Sequence, residues 1–428
     1  MKGNALSRLG RRADAPAISW LMELTLSRPQ MISLAAGFTD NDSLPVAETR
    51  ALIDEILDST KAGRAALQYG STAGDPLLRK LTASHLRQLD DAPDSSRAHS
   101  PDRMLITNGS QQMLYMATEA LCDEGDIVLV EDPTYFVFLG ILQSRGLRGR
   151  GVRLLPDGLD LDQLATVLER LKQSGEIRRV KMLYLVSYFQ NPAGVTTSFA
   201  KKAAALDLLR KYEKSAGHPI YLLEDAAYRE LRFRGDDVKS TLAARGGADR
   251  VIYAGTYSKP FASGMRVGFG LLPEPVYSAV ARIKGNHDFG TSNLPQQVLA
   301  RSIDLGRYGC HLDLLRKRYA RKARVMLAAL KQYFPSGVTW WEPSGGLYFW
   351  AQLPCPLRSG KDSRLFRTAV ARDILYVPGQ LCYVNDPARP KPDHEMRLSF
   401  GGSKLENIAI GIERLGGVLR KMLKTSKR

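Results

Sequence analysis

Short apolar runs and amphipathic stretches alternate through the middle of the chain. The runs fall at 104–107, 126–130, 180–186, 220–223, 251–253 and 267–272. They are rich in Val, Ile, Leu and Tyr and close on turn or polar residues, which predicts buried strands. Helix-like stretches lie between several of them, at 110–121, 161–172 and 198–215. This alternation predicts an α/β unit built on a mainly parallel sheet. The last third differs. A long basic amphipathic segment at 305–333 precedes apolar runs at 345–350, 369–377 and 396–400, and a final helical pattern covers 404–423. A second, smaller α+β unit is expected there, with the amphipathic piece at 17–26 packed on it. The expected partition is a large domain of 46–300 and a small domain of 1–45 with 301–428. The polar stretch 90–102 reads as a surface loop. No internal repeat is visible.

Composition narrows the picture. The chain has 428 residues, 44% of them hydrophobic, enough for a large core and more than one domain. Its 61 basic against 44 acidic residues leave a formal charge of +17, which raises a nucleic-acid reading. The basic residues are scattered, however. Only Arg8, Arg11 and Arg12 at one end, and Arg420, Lys421 and 424–428 at the other, cluster. Solvated surface and anionic small ligands account for such a distribution, so no nucleic-acid partner is expected. The four cysteines form no CxxC pair and read as reduced thiols. No signal-peptide core is visible, and the stretch at 18–26 is too short to span a bilayer. A cytoplasmic protein without a membrane partner is expected.

The candidate chemistry follows the strand ends, where open α/β sheets bind ligands. The first run leads into Asn108-Gly109-Ser110-Gln111-Gln112. Gly109 lets backbone approach a phosphate and the helix start offers free N–H groups, although a Gly turn with a Ser cap reads the same way. The second leads to Tyr135, which either lies flat on an aromatic ligand or packs on the sheet. The third leads to Gln190-Asn191-Pro192, a turn whose Asn191 amide could donate to a ligand oxygen. The fourth ends in Glu224-Asp225, with Tyr228 three residues on. A carboxylate directly behind an apolar run must be paired or solvated, and a protonated pyridine nitrogen suits it. The fifth ends in Thr256-Tyr-Ser258-Lys259, followed by Gly264-Met-Arg266. A lysine at the mouth of a buried strand is costly unless bonded or neutralised, and a Schiff base to an aldehyde does both. Thr256, Ser258 and Arg266 offer what a phosphate needs. Taken alone, that stretch also fits an ordinary strand end with a solvated lysine. One ligand carrying an aromatic ring, an aldehyde and a phosphate, pyridoxal 5'-phosphate, accounts for all five ends together. No metal site is expected.

These motifs, with Pro343-Ser-Gly-Gly-Leu-Tyr-Phe and Met396-Arg397-Leu-Ser-Phe, run in order through about 18–423. The chain resembles the pyridoxal-phosphate-dependent aminotransferases of fold type I, class I/II. Within them it is similar to the aminoadipate and kynurenine branch and to the effector domain of MocR-type regulators. The resemblance implies a homodimeric aminotransferase that passes an amino group from an L-amino acid to a 2-oxo acid, 2-oxoglutarate being the implied acceptor. It implies that Lys259 holds the cofactor and carries the Cα proton, and that Asp225 pairs with the ring nitrogen. Tyr228 and Asn191 would bond the phenolate oxygen, Tyr135 would stack on the ring, and Gly109, Ser110, Gln111, Thr256, Ser258 and Arg266 would cradle the phosphate. Tyr69 would reach the phosphate across the dimer, and Arg397 would clamp the substrate carboxylate with Asn191 and the Gly37 backbone. The loop Ala36-Gly37-Phe38 departs from the Gly-Gly-Leu-Pro common in the family, which leaves the side-chain pocket open. Trp20, Met22 and Phe38, without a nearby cation, suggest an aromatic or large apolar donor, though they serve equally as packing residues. Two alternatives share the cofactor residues: a β-lyase or synthase, and a regulator. The latter carries an N-terminal winged helix, and the pattern here begins by about residue 18, so none is expected.

Overall fold

The computed structural model describes residues 5–387 and 389–425. Eight strands form the central sheet: β1 (Met104–Thr107), β2 (Ile127–Asp132), β3 (Arg148–Leu155), β4 (Gly158–Leu159), β5 (Val180–Val186), β6 (Tyr221–Asp225), β7 (Val251–Thr256) and β8 (Gly268–Leu271). Their spatial order is β1-β8-β7-β6-β5-β2-β3-β4. Strands β7, β6, β5, β2 and β3 are parallel, while β8 runs antiparallel to both β1 and β7. Every residue of β1, β2, β6, β7 and β8 is buried. Both faces are covered, which is why these strands read as continuous apolar runs rather than as alternating ones.

A second, antiparallel sheet holds β9 (Thr339–Trp341), β10 (Tyr348–Gln352), β11 (Val377–Pro378) and β12 (Glu395–Ser399), in the order β9-β10-β12-β11. The helices Arg307–Tyr333 and Leu405–Thr425 pack on each other beside it. Ile32–Ser33 pairs in parallel with Ile374–Leu375, and Trp20 of the helix Ala17–Leu26 lies 5.6 Å from the Phe366 ring. The early part of the chain is thus fastened to the late part.

The structure departs from the sequence expectations in four places. Strand β3 was not anticipated, because its buried phase at 149 and 151 is glycine rather than an apolar side chain. A Cβ at Gly149 would stand 2.1 Å from Val384 Cγ2, so nothing larger fits. The segment 305–333 is one helix only from Arg307. A separate helix, Asn293–Asp304, precedes it, and Gly306 with φ of 70° breaks the two apart. The apolar stretch 369–377 splits into the end of a helix, Arg364–Val370, and short strands. The polar stretch 90–102 is not a surface loop throughout, since Asp90 and His99 are buried. Asp90 accepts from Arg229 Nη2 and Ser240 N, each at 2.7 Å, and its other oxygen lies 2.7 Å from His99 Nε2. Polar residues go inside when they satisfy one another.

Among the described residues no helix is long and apolar enough to cross a membrane. Cys122 and Cys382 are buried, and burial pushes both thiols up to about 12; Cys310 and Cys355 are exposed. Of the basic ends, Arg12 pairs with Glu124 and Arg420 donates to Tyr333 O, while 426–428 lie outside the described residues.

Candidate active site

Parallel strands deliver their carboxyl ends to one edge of the sheet, and the anticipated polar residues meet there. Ser110 and Gln111 follow β1, Tyr135 follows β2, and Asn191 follows β5. Asp225 closes β6 with Tyr228 just beyond, and Thr256, Ser258, Lys259 and Arg266 lie at or after the end of β7. These ten side chains line one cavity of roughly 560 Å³.

Asp225 is buried and accepts from Tyr184 Oη at 2.8 Å and from Ala227 N at 3.1 Å. Burial drives its carboxyl up to about 6, against the pull of these two bonds. Neither donor is a cation. Lys259 Nζ donates to Gly37 O at 2.8 Å. Burial, with Arg397 and Arg266 nearby, brings its ammonium down to about 8. Tyr228 Oη accepts from Asn191 Nδ2 at 3.3 Å and lies 3.0 Å from Tyr348 Oη. At the other end of the cavity Arg266 adopts left-handed backbone, φ 52°, and donates from Nη1 to Ser258 Oγ and Ser263 O, each at 3.2 Å. Gly109, φ 76°, precedes the helix Ser110–Leu121, whose start carries no side-chain cap. A Cβ there would stand 2.5 Å from Arg266 Nη2, so only glycine lets the guanidinium and the helix start converge.

Arg397, from β12, is 1% exposed. It donates from Nη1 to Asn191 Oδ1 at 2.7 Å and from Nη2 to Ala35 O at 2.5 Å, and its guanidinium lies 4.3 Å over the Tyr348 ring. Arg266 lines the cavity and Arg397 reaches it through Asn191, and the bonds of both guanidinium groups are to neutral oxygens.

This donor set fits pyridoxal phosphate. A buried carboxylate without a cation suits a protonated ring nitrogen. A half-buried amine of lowered basicity suits an aldehyde carbon. A guanidinium, two hydroxyls and an uncapped helix start suit a phosphate dianion.

Of the anticipated residues, Gly37, Gly109 and Arg397 do not line the cavity themselves: Gly37 and Arg397 bond to Lys259 and Asn191, which do, and Gly109 adjoins Ser110, whereas Tyr69 lies apart from it. Tyr69 is 83% exposed and lies edge-on to Phe289, with ring centroids 5.4 Å apart, in an open hollow beside Asn293. Three further residues were not anticipated. Tyr184 bonds Asp225 from the neighbouring strand, and Tyr348 links Tyr228 to Arg397. Fully buried Glu131 accepts from Val186 N at 2.9 Å and Gln190 Nε2 at 3.0 Å, and burial pushes its carboxyl up to about 8. Glu131 thereby fixes the turn that presents Asn191. The one available signal was a phenol or carboxyl inside an otherwise apolar strand.

Sheet order, strand direction and site, with the matching family and solved structures, define a pyridoxal-phosphate-dependent transferase of fold type I. Residues 29–415 match the family described as aminotransferase class I and II, and the chain belongs to it. It is 32% identical to aromatic-amino-acid aminotransferase 1 of Thermococcus litoralis, over 92% of this chain and 89% of that one. It is 32% identical to the 2-aminoadipate transaminase of Thermus thermophilus, over 96% of each. The kynurenine aminotransferase of Pyrococcus horikoshii, solved with PMP, superposes with a TM-score of 0.88 at 30% identity, over 98% of each chain. The protein is a pyridoxal-phosphate-dependent aminotransferase.

Proposed function

We propose that the protein moves the amino group of an L-amino acid with an aromatic or large apolar side chain to 2-oxoglutarate. The observation that carries the donor is an apolar hollow lined by Ile18, Leu21, Met22, Thr25 and Leu26 of one helix and by Ala36 and Phe38. It adjoins Gly37, whose carbonyl holds Lys259 Nζ. No charged residue lines it, so an acidic side chain would lose its hydration there without a partner. Trp20, anticipated as part of this pocket, instead packs on Phe366 and is not part of the lining. The relatives named for aromatic amino acids and for kynurenine agree with the reading; the aminoadipate relative argues for an acidic donor. Measured kcat/KM values for phenylalanine, leucine and kynurenine are expected to exceed those for aspartate and aminoadipate. The reverse order overturns the pocket assignment.

When bound, pyridoxal phosphate supplies an aldehyde carbon for the amino nitrogen and a ring that takes up the electron pair left by the Cα proton. The chain's own residues do the rest in this reading. Arg397 holds the α-carboxylate in its two-pronged guanidinium, aided by Asn191 and the backbone at Gly37. Lys259 Nζ would take the Cα proton and deliver it to the cofactor carbon that bears the aldehyde, so that the amino nitrogen stays with the cofactor. With a pKa near 8, a useful fraction is free amine at neutral pH, which an ordinary lysine would not offer. Asp225 keeps a proton on the ring nitrogen, and Asn191 and Tyr228 bond the phenolate oxygen. Tyr135 covers the ring and helps exclude water. Gly109, Ser110, Gln111, Thr256, Ser258 and Arg266 hold the phosphate.

The exposed Tyr69, beside exposed Leu67 and Phe289, supports a homodimer in which Tyr69 serves the partner's phosphate site. Mixing an inactive Tyr69→Ala chain with an inactive Lys259→Ala chain is expected to restore activity, because one site of each mixed dimer is intact. A fully active monomer in sedimentation would exclude this. The four free cysteines support a reducing compartment, in keeping with a cytoplasmic location. Strands β1–β8 fall within 46–300 and β9–β12 within 301–428, which supports the two-domain division.

A further inference from the structure

The segment 34–40 runs past the site as a strap. Near its start the strap meets the strand that carries Arg397: Ser399 N donates to Leu34 O at 2.7 Å, and Arg397 Nη2 donates to Ala35 O. In its middle Gly37 O receives Lys259 Nζ, and a Cβ on Gly37 would stand 2.6 Å from Tyr348 Oη. Its far end is held from behind by the helix Arg307–Tyr333. Asp40 is buried there and accepts from Lys322 Nζ and Arg318 Nε, each at 2.6 Å, while its own N–H donates to Tyr319 Oη at 3.1 Å. Burial alone would raise the Asp40 carboxyl, and the two cations hold it below its ordinary value.

Lys322 does more than pair with Asp40. Its side chain is 4% exposed, and its ammonium also donates to Gly401 O at 2.8 Å, two residues beyond the end of β12. One buried cation therefore bonds both walls of the substrate end, the strap and the segment after Arg397. The two walls are packed without slack. A Cβ on Gly401 would stand 2.6 Å from Phe38 O, and one on Gly402 would stand 3.0 Å from Phe38 Cβ. Lys322 lines no part of the cofactor cavity.

We propose that Lys322 is a positioning residue for the substrate. Through Asp40 and the Gly401 carbonyl it sets the distance between the Gly37–Phe38 strap and Arg397, and so the affinity for the amino and oxo acids. The inference rests on the reading that Arg397 takes the α-carboxylate.

Four variants of the holoenzyme test it: Lys322→Met, Lys322→Arg, Gly401→Ala and Arg397→Lys. The donor is L-phenylalanine, or whichever amino acid heads the kcat/KM series. Lys322→Met is expected to raise KM about tenfold or more, since a misplacement near 1 Å weakens a productive complex by up to about a hundredfold. Its kcat is expected to stay within about threefold, and pyridoxal phosphate affinity, titrated by fluorescence on the cofactor-free protein, within about twofold. Lys322→Arg restores a cation and is expected to recover most of the KM. Gly401→Ala pushes the strap by bulk without touching a charge and is expected to raise KM in the same way; it decides the matter if Lys322→Met does not fold. An unchanged KM in Lys322→Met or in Gly401→Ala overturns the proposal, as does a parallel loss of cofactor affinity. Arg397→Lys separates the two readings. If it raises KM strongly while the Lys322 and Gly401 variants do not, only the anchor fails. If it leaves KM unchanged, the carboxylate assignment fails and the anchor with it.

Discussion

Lys259→Ala is expected to retain pyridoxal phosphate while losing turnover by several orders of magnitude, the scale seen when a reacting group is removed outright. The two halves of this expectation come from different parts of the cavity. Arg266, Ser258, Thr256 and the helix start at Ser110 lie at the phosphate end and do not depend on Lys259. At the other end, Lys259 is the half-buried amine whose ammonium is brought down to about 8, by desolvation first and then by Arg397 and Arg266. Tyr228 and Tyr135 also titrate there, but burial pushes both phenols further above neutral pH, and Asp225 is a carboxyl that cannot form an imine, so none replaces an amine that is partly free at neutral pH. Arginine at 259 would not help either, because a guanidinium stays protonated. Borohydride reduction of the loaded wild-type protein, followed by peptide mapping, is expected to place the label on Lys259 and on no other lysine. A label elsewhere, or near-normal turnover by Lys259→Ala, overturns the assignment.

The cavity was readable in advance to the extent that its chemistry is local. Lys259, Asp225 and Asn191 each stand at or beyond the end of an apolar run, where a polar residue has no packing reason to be. A parallel sheet then brings such ends together whatever the details of the helices between them. What could not be read depended on partners distant in sequence. Tyr184 looks like one more large residue in an apolar strand. Only the β5–β6 register, which sets Tyr184 against Leu223 and Val186 against Asp225, puts its hydroxyl beside the carboxylate. Tyr348 reaches Tyr228 from the second sheet, across more than a hundred residues of chain, and stacks under Arg397 of the strand beside it. The polar stretch 90–102 misled because composition records hydrophilicity and not pairing. Asp90 and His99 are internal because Arg229 and Ser240 come to meet the carboxylate. Strand β3 was missed for the opposite reason: its inward positions had to be too small to count as hydrophobic.

Asp225→Asn is expected to change activity and stability in opposite directions. The ordinary carboxyl value of 3.8 rises to about 6 in the folded, cofactor-free protein, chiefly through burial. The folded state thus holds that proton more tightly than the unfolded state. Stability from this group is full below the unfolded value and is lost as pH rises through about 6; above that the buried anion costs on the order of 3 kcal/mol. Asparagine cannot ionise, and its side-chain oxygen can still accept from Tyr184 and Ala227. The cofactor-free Asp225→Asn protein should therefore unfold a few degrees above cofactor-free wild type at pH 8, with the gap closing towards pH 4. With cofactor the effect reverses. A neutral amide cannot keep the ring nitrogen protonated, so Cα–H cleavage loses its electron sink and turnover should fall on the order of a thousandfold. Cleavage then limits the rate, and substrate deuterated at Cα should show a larger isotope effect than with wild type. The two readouts separate a designed charge from a merely structural one. A carboxylate placed for packing would lower the melting temperature when replaced and leave the isotope effect where it was, and that outcome would remove Asp225 from the proposed chemistry.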